Sequence, residues 1–254
     1  MDLGIRGRKA IICASSKGLG RGCAAALAEA GCDLVVNGRH ADVLAETAQA
    51  LRSRWGVTVT EVGGDVSQPE VQERLLAACP DPDILVNNNG GPPRRDFRDL
   101  DRKAIMDGVI GNMITPIELV KAVIDDMAER GFGRIVNITS LSVYTPIPGL
   151  DVSSGARAGL TSFLAGVART VASRNVTINN LLPGKLDTDR IRGIAPKGVS
   201  QEEHMKRMVS DIPAGRLGTP EEFGQICAFF CSVHAGYLTG QNIPVDGGSY
   251  VSAF

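Results

Sequence analysis

A glycine-containing turn near the N-terminus has the residues that a phosphate-binding loop needs. The turn, Cys13-Ala14-Ser15-Ser16-Lys17-Gly18-Leu19-Gly20, lies between an apolar strand pattern and an alanine-rich helix pattern. Glycines let the backbone turn tightly and approach a diphosphate, while the N-terminus of the helix offers N–H groups and a positive dipole. Because strand, turn and helix occur in this order, the sequence predicts a dinucleotide-binding site.

The end of the second predicted strand indicates which dinucleotide binds. An enzyme that prefers NAD usually places a carboxylate there for the ribose 2′-hydroxyl, but this chain has Asn37-Gly38-Arg39. Arg39 and Lys17 are suited to a 2′-phosphate, because a guanidinium fork matches its oxygens. We therefore expect NADP rather than NAD. The alternative interpretation is that both residues are solvated surface cations.

Short apolar runs alternate with longer helical patterns along the chain, and this alternation predicts the fold. It indicates βαβ units, a parallel sheet and helices on both faces. We expect a doubly wound, Rossmann-type α/β fold of about seven strands, with ligands at the carboxyl ends of the strands. The strands are predicted at 9–13, 33–36, 57–62, 83–87, 134–139, 175–182 and 242–245. The first helix is predicted from the glycine-containing turn to residue 30, where Gly31 ends it. The other helices are predicted at 41–54, 71–78, 104–127, 154–174 and 221–232.

Length and composition limit the classes of function. A chain of 254 residues, 43% of them hydrophobic and divided by no linker, is expected to form one domain over 1–254. A net charge of −1 and the absence of long basic runs argue against a nucleic-acid partner. No stretch approaches the roughly 18 apolar residues of a membrane span, so we expect a cytoplasmic protein without a membrane partner. The six cysteines and three histidines lack the spacing of a metal site, so no metal is expected.

Two loops are candidates for contact with a substrate. The segment 183–220 is long and irregular, with a charged helical patch at 202–209, and loops of this length are usually functional. We expect it to form a substrate lid. The loop Gly90-Gly91-Pro92-Pro93-Arg94-Arg95 follows the fourth predicted strand. Its arginines are expected either to attract an anionic substrate, such as a carboxylate or a carrier phosphate, or to form a solvated rim.

From about Gly7 to the C-terminus the chain resembles the short-chain dehydrogenase/reductase family. The phosphate turn of that family reads TGxxxGxG, and this chain keeps the last two glycines but has Cys13 and Ala14 at the first two positions. Further resemblances are Asp65-Val66, Asn87-Asn88-Asn89-Gly90, a PGxxxT-like segment at 183–188 and the C-terminal motifs at 216–222 and 239–248. The resemblance implies cofactor contacts by Ser15, Ser16, Lys17, Gly18, Leu19, Gly20, Arg39, Asp65, Val66, Asn88, Asn89, Gly90, Arg157, Pro183, Gly184, Leu186 and Thr188.

The same resemblance implies a catalytic set in which two residues differ. In the family, a serine after the fifth strand polarises the substrate oxygen, a tyrosine thirteen residues later exchanges the proton, and a lysine four residues further holds the nicotinamide ribose. Ser140 matches the serine and Asn112 a structural asparagine, but Ser153 and Arg157 replace the tyrosine and the lysine. Arginine can still bind ribose hydroxyls but cannot relay a proton, and a serine hydroxyl is far less acidic than a phenol.

Tyr144 is the expected replacement for the missing proton donor. It lies four residues beyond Ser140, on the loop that continues from the catalytic strand. Asp151 is a second candidate, and the alternative interpretation is that Tyr144 only lines the pocket.

The resemblance implies an NADP-dependent oxidoreductase that interconverts a carbonyl and an alcohol on a small molecule, similar overall to the 3-oxoacyl-acyl-carrier-protein reductases. Because two catalytic residues are replaced, one alternative is a catalytically silent NADP-binding protein that acts as a sensor or an oligomer partner. Non-redox chemistry, as in the dehalogenase branch of the family, is a weaker alternative. Family members are commonly dimers or tetramers, so a homo-oligomer, such as a homotetramer, is expected.

Overall fold

The computed structural model describes residues 1–193 and 200–252. Its strands are β1 (Lys9–Ile12), β2 (Asp33–Gly38), β3 (Val59–Gly63), β4 (Ile84–Asn87), β5 (Gly133–Ile138), β6 (Val176–Pro183) and β7 (Asn242–Val245). The helices in the described ranges are α1 (Gly18–Glu29), α2 (Ala41–Trp55), α3 (Pro69–Ala78), α4 (Arg102–Val109), α5 (Thr115–Glu129), α6 (Asp151–Val171), α7 (Asp189–Arg192), α8 (Gln201–Val209) and α9 (Pro220–Cys231).

The strands form one parallel sheet in the order β3-β2-β1-β4-β5-β6-β7. The order reverses between β1 and β4, and in open parallel sheets the crevice at such a reversal is where ligands bind. The phosphate-type turn follows β1, and the Asn87-Asn88-Asn89-Gly90 segment follows β4. Both predicted cofactor segments therefore lie at this crevice, and the predicted doubly wound fold is confirmed.

Helices cover both faces of the sheet because the apolar residues of its strands alternate between two cores. Ile12 of β1 packs in a core with residues of α1, α2 and α9, whereas the adjacent Ile11 packs in a second core with residues of α3, α5 and α6. This arrangement is the expected consequence of a strand repeat of two residues. The six cysteines are all buried free thiols.

The contact between α1 and α9 is set by two glycines. A Cβ atom on Gly22 would overlap the carbonyl of Pro220, and one on Gly224 would overlap the carbonyl of Gly22. The two helix backbones therefore touch, and small side chains such as Cys23 and Cys227 fill the space beside them. Among residues 1–193 and 200–252, no helix has the length and apolar character needed to cross a membrane.

The single helix predicted over 104–127 is instead two helices joined by a π-helical turn at Ile110–Ile114. The side-chain amide of Asn112 donates to the carbonyl of Gly108 at 3.1 Å. Pro116 has no N–H group to donate to the carbonyl four residues before it. Both features favour a widened turn, which periodicity alone does not reveal. Helix α7 was not predicted, and α6 both begins and ends three residues earlier than predicted, at Asp151 and Val171.

A row of four buried or half-buried asparagines crosses the sheet near its carboxyl edge. Asn87, Asn137, Asn180 and Asn242 occupy paired register positions on β4, β5, β6 and β7. Each side-chain Nδ2 donates to the Oδ1 of the next asparagine, at 2.9, 2.9 and 2.7 Å. Polar groups inside a sheet are costly unless they are paired, and the row pairs its amides along the sheet and leaves the Asn87 side-chain oxygen at its end without a protein partner.

We expect Asn137→Leu to lower the free energy of unfolding by about 3 kcal/mol, because it leaves the Asn180 side-chain carbonyl buried without its partner and the Asn87 amide with only its 3.5 Å contact to the Pro116 carbonyl. Thermal or urea unfolding measures the change. The matched control is Thr177→Val on β6, since the buried Thr177 hydroxyl has no hydrogen-bond partner to lose. An Asn137→Leu variant as stable as Thr177→Val contradicts a stabilising role for the asparagine row.

Candidate functional site

The turn between β1 and α1 has a glycine-like backbone even where it lacks the expected glycine. Ala14 has φ +43° and Gly18 has φ +55°, a region that residues with a Cβ atom rarely adopt. A Cβ atom on Gly20 would overlap the Ala14 carbonyl and lie 2.8 Å from Nδ2 of Asn88. The turn therefore has the tightness expected of a diphosphate-binding loop, despite the alanine.

Asparagine side chains from two strands hold Ala14 in this conformation. Its N–H donates to Oδ1 of Asn37 at 3.0 Å, and its carbonyl accepts from Nδ2 of Asn88 at 3.1 Å. Asn37 also donates to the carbonyls of Val62 and Gly64, at 2.9 and 3.1 Å. Strained backbone persists where its surroundings determine it in this way. Asn37 is thus occupied by the protein, which leaves Arg39 as the charged group at the end of β2.

Ser15 and Ser16 support the turn from within. The Ser15 hydroxyl donates to the carbonyl of Ile12 at 2.8 Å and accepts from the N–H of Asn37 at 3.0 Å. The carbonyl of Ser16 accepts from the Thr47 hydroxyl at 2.9 Å. Leu19 packs against the core, and Lys17 precedes α1 without capping it through its side chain. The Ser15 side chain and the Ser16 backbone therefore stabilise the turn, and Lys17 is exposed beside the helix N-terminus.

A cavity of about 850 Å³ at the carboxyl edge of the sheet is large enough for a sizeable ligand. Its lining brings together Arg39, Asp65, Gly90, Asn112 and Ser153. A Cβ atom on Gly18 would lie 3.6 Å from Cγ2 of Thr188, an ordinary contact, so the glycine is needed there for its positive φ rather than for space. The turn and the helix N-terminus fit the diphosphate of a dinucleotide, with Cys13 and Ala14 as the two departures from the expected pattern.

Among the predicted cofactor residues, Arg39, Asp65, Asn89 and Gly90 line this cavity and the others do not. Asp65 accepts from the N–H and hydroxyl of Ser67 at 3.0 and 2.7 Å, while Val66 is buried in the core. Asn89 donates to the carbonyl of Gly111 at 3.0 Å and so joins the loop after β4 to the π-helical turn. Gly184 follows Pro183 of β6 and donates to the carbonyl of Val245 at 3.0 Å. Leu186 is buried and bridges to Gly218.

Arg157 is a buried cation whose partners are neutral oxygens. It is 7% exposed, and its Nη1 donates to the carbonyl of Ile138 at 2.7 Å. Its Nη2 donates to the carbonyl of Asn89 at 3.4 Å, and its Nε to the Ser153 hydroxyl at 3.2 Å. Burial, together with the smaller effect of the nearby positive charge of Arg190, lowers the pKa of Arg157 to about 10. Arg157 therefore remains cationic at neutral pH, with a charge that its own contacts do not neutralise.

Ser140 and Tyr144 bracket a single 3₁₀ turn, Leu141–Val143, that follows β5. The Ser140 oxygen accepts from the N–H of Ser142 at 3.1 Å, so its own proton is available to a ligand. Tyr144 is 38% exposed and stacks on Tyr250, with ring centroids 4.9 Å apart. Neither Ser140 nor Tyr144 lines the large cavity, whereas Ser153 does.

Tyr250 is a site residue that the sequence analysis missed. Its N–H donates to Oδ2 of Asp246 at 2.8 Å, which holds the C-terminal segment beside the 3₁₀ turn. Tyr250 and Tyr144 are more than one hundred residues apart in sequence. The one sequence feature that points to this contact is Tyr250 itself, an aromatic residue just beyond the motif at 239–248.

A second, small cavity of about 10 Å³ lies behind the site, the size that one water molecule needs. Asn87, Asn112, Asn137 and Arg157 contribute to its lining. The side-chain carbonyl oxygens of Asn87 and Asn112 are buried without a hydrogen-bond partner from the protein. Asn112 therefore lies next to Arg157, as its predicted grouping with the catalytic residues requires.

Helix α7 brings the predicted lid segment against both halves of the site. Asp189 lies 3.9 Å from Nζ of Lys17, and Arg190 donates to the carbonyls of Gly91 and Pro92 at 3.2 and 3.4 Å. The predicted lid includes residues 194–199, which lie outside the described residues. A closing motion of the segment remains a prediction.

The arginine-containing loop after β4 is attached to the loop before α6. The N–H of Arg95 donates to the carbonyl of Gly149, and Nε of Arg94 donates to the carbonyl of Pro148, both at 3.0 Å. The 90–95 loop thus lies between α7 and the start of the catalytic helix.

The chain is similar to known reductases over nearly its whole length. The family model described as enoyl-(acyl carrier protein) reductase matches residues 13–250. The 3-oxoacyl-[acyl-carrier-protein] reductase FabG of Pseudomonas aeruginosa is 31% identical over 253 residues, covering 98% of this chain and 100% of the relative. The acetoacetyl-CoA reductase of Cupriavidus necator is 38% identical over 170 residues, which is 66% of each chain.

Solved structures give the same result. An L-sorbose reductase from Gluconobacter frateurii, complexed with NADPH and L-sorbose, superposes with a TM-score of 0.94 at 28% identity, covering 99% of this chain and 100% of that one. YwfH, an NADPH-dependent reductase involved in bacilysin biosynthesis, has a TM-score of 0.90 at 27% identity, covering 97% and 99%. Both structures therefore match nearly the whole length of this chain with the same fold.

We expect Ala14→Gly to stabilise the protein by about 1 kcal/mol, because glycine adopts a positive φ without the Cβ penalty. In a chain of this size the melting temperature should rise by about 2–4 °C. The matched control is Ala25→Gly inside α1, where the same change should lower stability by about 1 kcal/mol. A lower melting temperature for Ala14→Gly shows that Ala14 is not strained.

Proposed function

This chain belongs to the short-chain dehydrogenase/reductase family and is an oxidoreductase that uses a nicotinamide cofactor, and we propose that it reduces a carbonyl group to an alcohol with NADPH. One observation carries the proposal. The glycine-like turn after β1 and the Ser140 hydroxyl after β5 lie at the same carboxyl edge of the sheet, with the strand β4 between their strands. A cofactor on the turn and a carbonyl at Ser140 are thereby placed side by side.

A 3-oxoacyl compound is the class of substrate that the relatives favour. The substrate itself is a small molecule, as for the related reductases. The names of two relatives specify 3-oxoacyl-[acyl-carrier-protein] and acetoacetyl-CoA. Their names are those of reductases, so the comparisons give no support to a catalytically silent binding protein.

NADP is favoured over NAD by the charges at the end of β2. Residues 37–40 contain no carboxylate, and the Asn37 side chain is 1% exposed and bound to the protein. Arg39 lines the large cavity and is free to face a 2′-phosphate. The L-sorbose reductase and YwfH are described as NADPH-dependent or NADPH-bound, which supports the same choice.

When bound, NADPH supplies the hydride. The Ser140 hydroxyl donates a hydrogen bond to the substrate oxygen, which its acceptor contact with Ser142 leaves it able to do. Tyr144 then donates the proton from its Oη, since it lies at the other end of the same 3₁₀ turn. A positioned general acid of this kind contributes about 10²- to 10⁴-fold in rate.

Arg157 and Ser153 orient rather than transfer protons. A guanidinium has five N–H donors, of which three bind Ser153, Ile138 and Asn89. The other two donors are available for the hydroxyls of the nicotinamide ribose. Asn112 supports this arrangement from the π-helical turn, and Asp151 accepts from the N–H of Gly149 at 3.2 Å, which makes it a less suitable proton donor than Tyr144.

The protein is proposed to be one domain with a lid at 183–220 and to assemble as a homo-oligomer. Exposed apolar side chains on α4 and α6, including Ile105, Met106 and Phe163, support such an assembly. Apolar groups clustered on neighbouring helices are typical of surfaces between subunits.

We expect Arg39→Ala to weaken NADPH binding about tenfold or more, because a charge-assisted hydrogen bond to the 2′-phosphate is lost. NADH binding should not change. Fluorescence titration of the purified protein measures both dissociation constants. The control is Arg54→Ala, which removes an exposed arginine at the far end of α2. Equal affinity of the native protein for NADPH and NADH contradicts the NADP proposal.

We expect Tyr144→Phe to reduce kcat more than tenfold while the dissociation constant of NADPH is unchanged, because only the phenol oxygen is removed. The change in kcat is measured from the steady-state oxidation of NADPH with 3-oxoacyl substrates. Tyr237→Phe, at a fully exposed phenol, is the control. Tyr250→Phe tests whether the stacked partner supplies the proton instead. Unchanged turnover in Tyr144→Phe rules out its role as the acid.

A further inference from the structure

In the described part of the chain, the side chain of Tyr144 has a ring partner but no hydrogen-bond partner. Its backbone is fixed, since its N–H donates to the carbonyl of Leu141 at 2.9 Å. The residue is 38% exposed, so rotation about its Cα–Cβ bond could point the phenol in several directions. Its ring stacks on that of Tyr250, with centroids 4.9 Å apart and planes inclined by 27°. The stack therefore limits the directions in which the Tyr144 phenol can point.

Tyr250 is itself held by a turn that one carboxylate closes. Oδ2 of Asp246 accepts from the N–H of Tyr250 at 2.8 Å, and its Oδ1 accepts from the N–H of Gly248 at 2.9 Å. The backbone at Gly247 and Gly248 is left-handed, with φ +67° and +87°, so the chain reverses direction there. We call residues 246–250 the C-terminal turn. Its contacts fix the backbone position from which the Tyr250 ring extends.

The C-terminal turn is attached to the body of the protein on two sides. It follows β7 directly, and β7 pairs with β6 in the sheet. At the end of these strands the N–H of Gly184 donates to the carbonyl of Val245 at 3.0 Å. On the other side the carbonyl of Gly247 accepts from the N–H of Ala214, also at 3.0 Å. The ring of Tyr250 is thus carried by the sheet, whereas the ring of Tyr144 extends from a loop.

We propose that Tyr250 is a positioning residue that acts through Tyr144, by holding its phenol in the orientation from which it donates the proton. A general acid contributes to the rate only while its proton is aimed at the reacting oxygen. A ring that can occupy three staggered wells is aimed correctly for a fraction of the time, unless a neighbour selects one well. Tyr250 makes this selection with the face of its ring, so its own hydroxyl is not required. The inference rests on the proposed reaction, with Tyr144 as the acid.

The first experiment removes the ring and the hydroxyl of Tyr250 separately. We expect Tyr250→Leu, which keeps apolar bulk without a flat ring, to lower kcat about three- to tenfold, whereas Tyr250→Phe keeps at least half of it. In both variants the KM of the carbonyl compound and the dissociation constant of NADPH should change less than twofold. The readout is steady-state oxidation of NADPH with 3-oxoacyl substrates. A Tyr250→Phe variant as slow as Tyr250→Leu overturns the proposal, because the hydroxyl and not the ring is then needed.

A double-mutant cycle distinguishes action through Tyr144 from a general structural effect. In a Tyr144→Phe background there is no phenol to position, so Tyr250→Leu should change the remaining kcat less than twofold. Equal losses in the native and Tyr144→Phe backgrounds make Tyr250 a structural residue and overturn the proposal. Val251→Ala is the matched control, since it shortens an exposed apolar side chain at the next position, and it should leave kcat unchanged.

A measurement without turnover separates this inference from the proposed reaction. The chain has three tyrosines, so protein labelled with fluorotyrosine gives a simple fluorine NMR spectrum, which the Tyr144→Phe, Tyr237→Phe and Tyr250→Phe variants assign. We expect Tyr250→Leu to move the Tyr144 resonance toward that of the fully exposed Tyr237, and Tyr250→Phe to leave it in place. A Tyr144 resonance that Tyr250→Leu does not move overturns the proposal whatever the turnover. If the native protein reduces no carbonyl compound, the proposed reaction fails, whereas a moved resonance still supports the control of the Tyr144 ring by Tyr250.

Discussion

The buried guanidinium of Arg157 is the interaction on which the rest of the site depends. Burying a charge is costly unless polar groups surround it, and here they are the carbonyls of Ile138 and Asn89 and the hydroxyl of Ser153. Ile138 ends β5, Asn89 follows β4, and Ser153 lies in the first turn of α6. Because one side chain binds all three, the catalytic helix, the strand that leads to Ser140 and the loop at the cavity are fixed relative to one another.

Asparagine side chains position the other parts of the site, and each of three consecutive asparagines makes a different contact. Asn87 begins the asparagine row across β4–β7, Asn88 holds the Ala14 carbonyl, and Asn89 binds Gly111 of the π-helical turn. An amide donates and accepts at once, so it can join two backbones that lack a common secondary structure. The glycine that Ala14 replaces is therefore compensated by contacts from outside the turn, and its conformation persists.

The fold could be predicted from the sequence because it depends on local patterns of residues. The site could be predicted only in part, because it depends on contacts between residues that are far apart in the chain. Strand and helix alternation predicted the sheet, and Gly31, at φ +86°, does end α1. The π-helical turn was missed because it depends on the Asn112 side chain and on Pro116, which apolar periodicity does not reveal. The sequence placed Arg157 and Ser140 near the active site, but not Arg190 or Tyr250. Their partners are about a hundred residues away, and neither residue type nor spacing encodes such a distance.

The paired replacement of tyrosine and lysine changes what the positive charge on α6 is for. A lysine beside a phenol lowers the pKa of that phenol, and so its charge is used to supply a proton. Beside Ser153 there is no phenol to act on, and three donors of Arg157 instead bind the Ser153 hydroxyl and the carbonyls of Ile138 and Asn89. In the proposed reaction the two donors that remain hold the nicotinamide ribose. Loss of the phenol on α6 then requires another proton donor, which we propose is Tyr144 on the 3₁₀ turn.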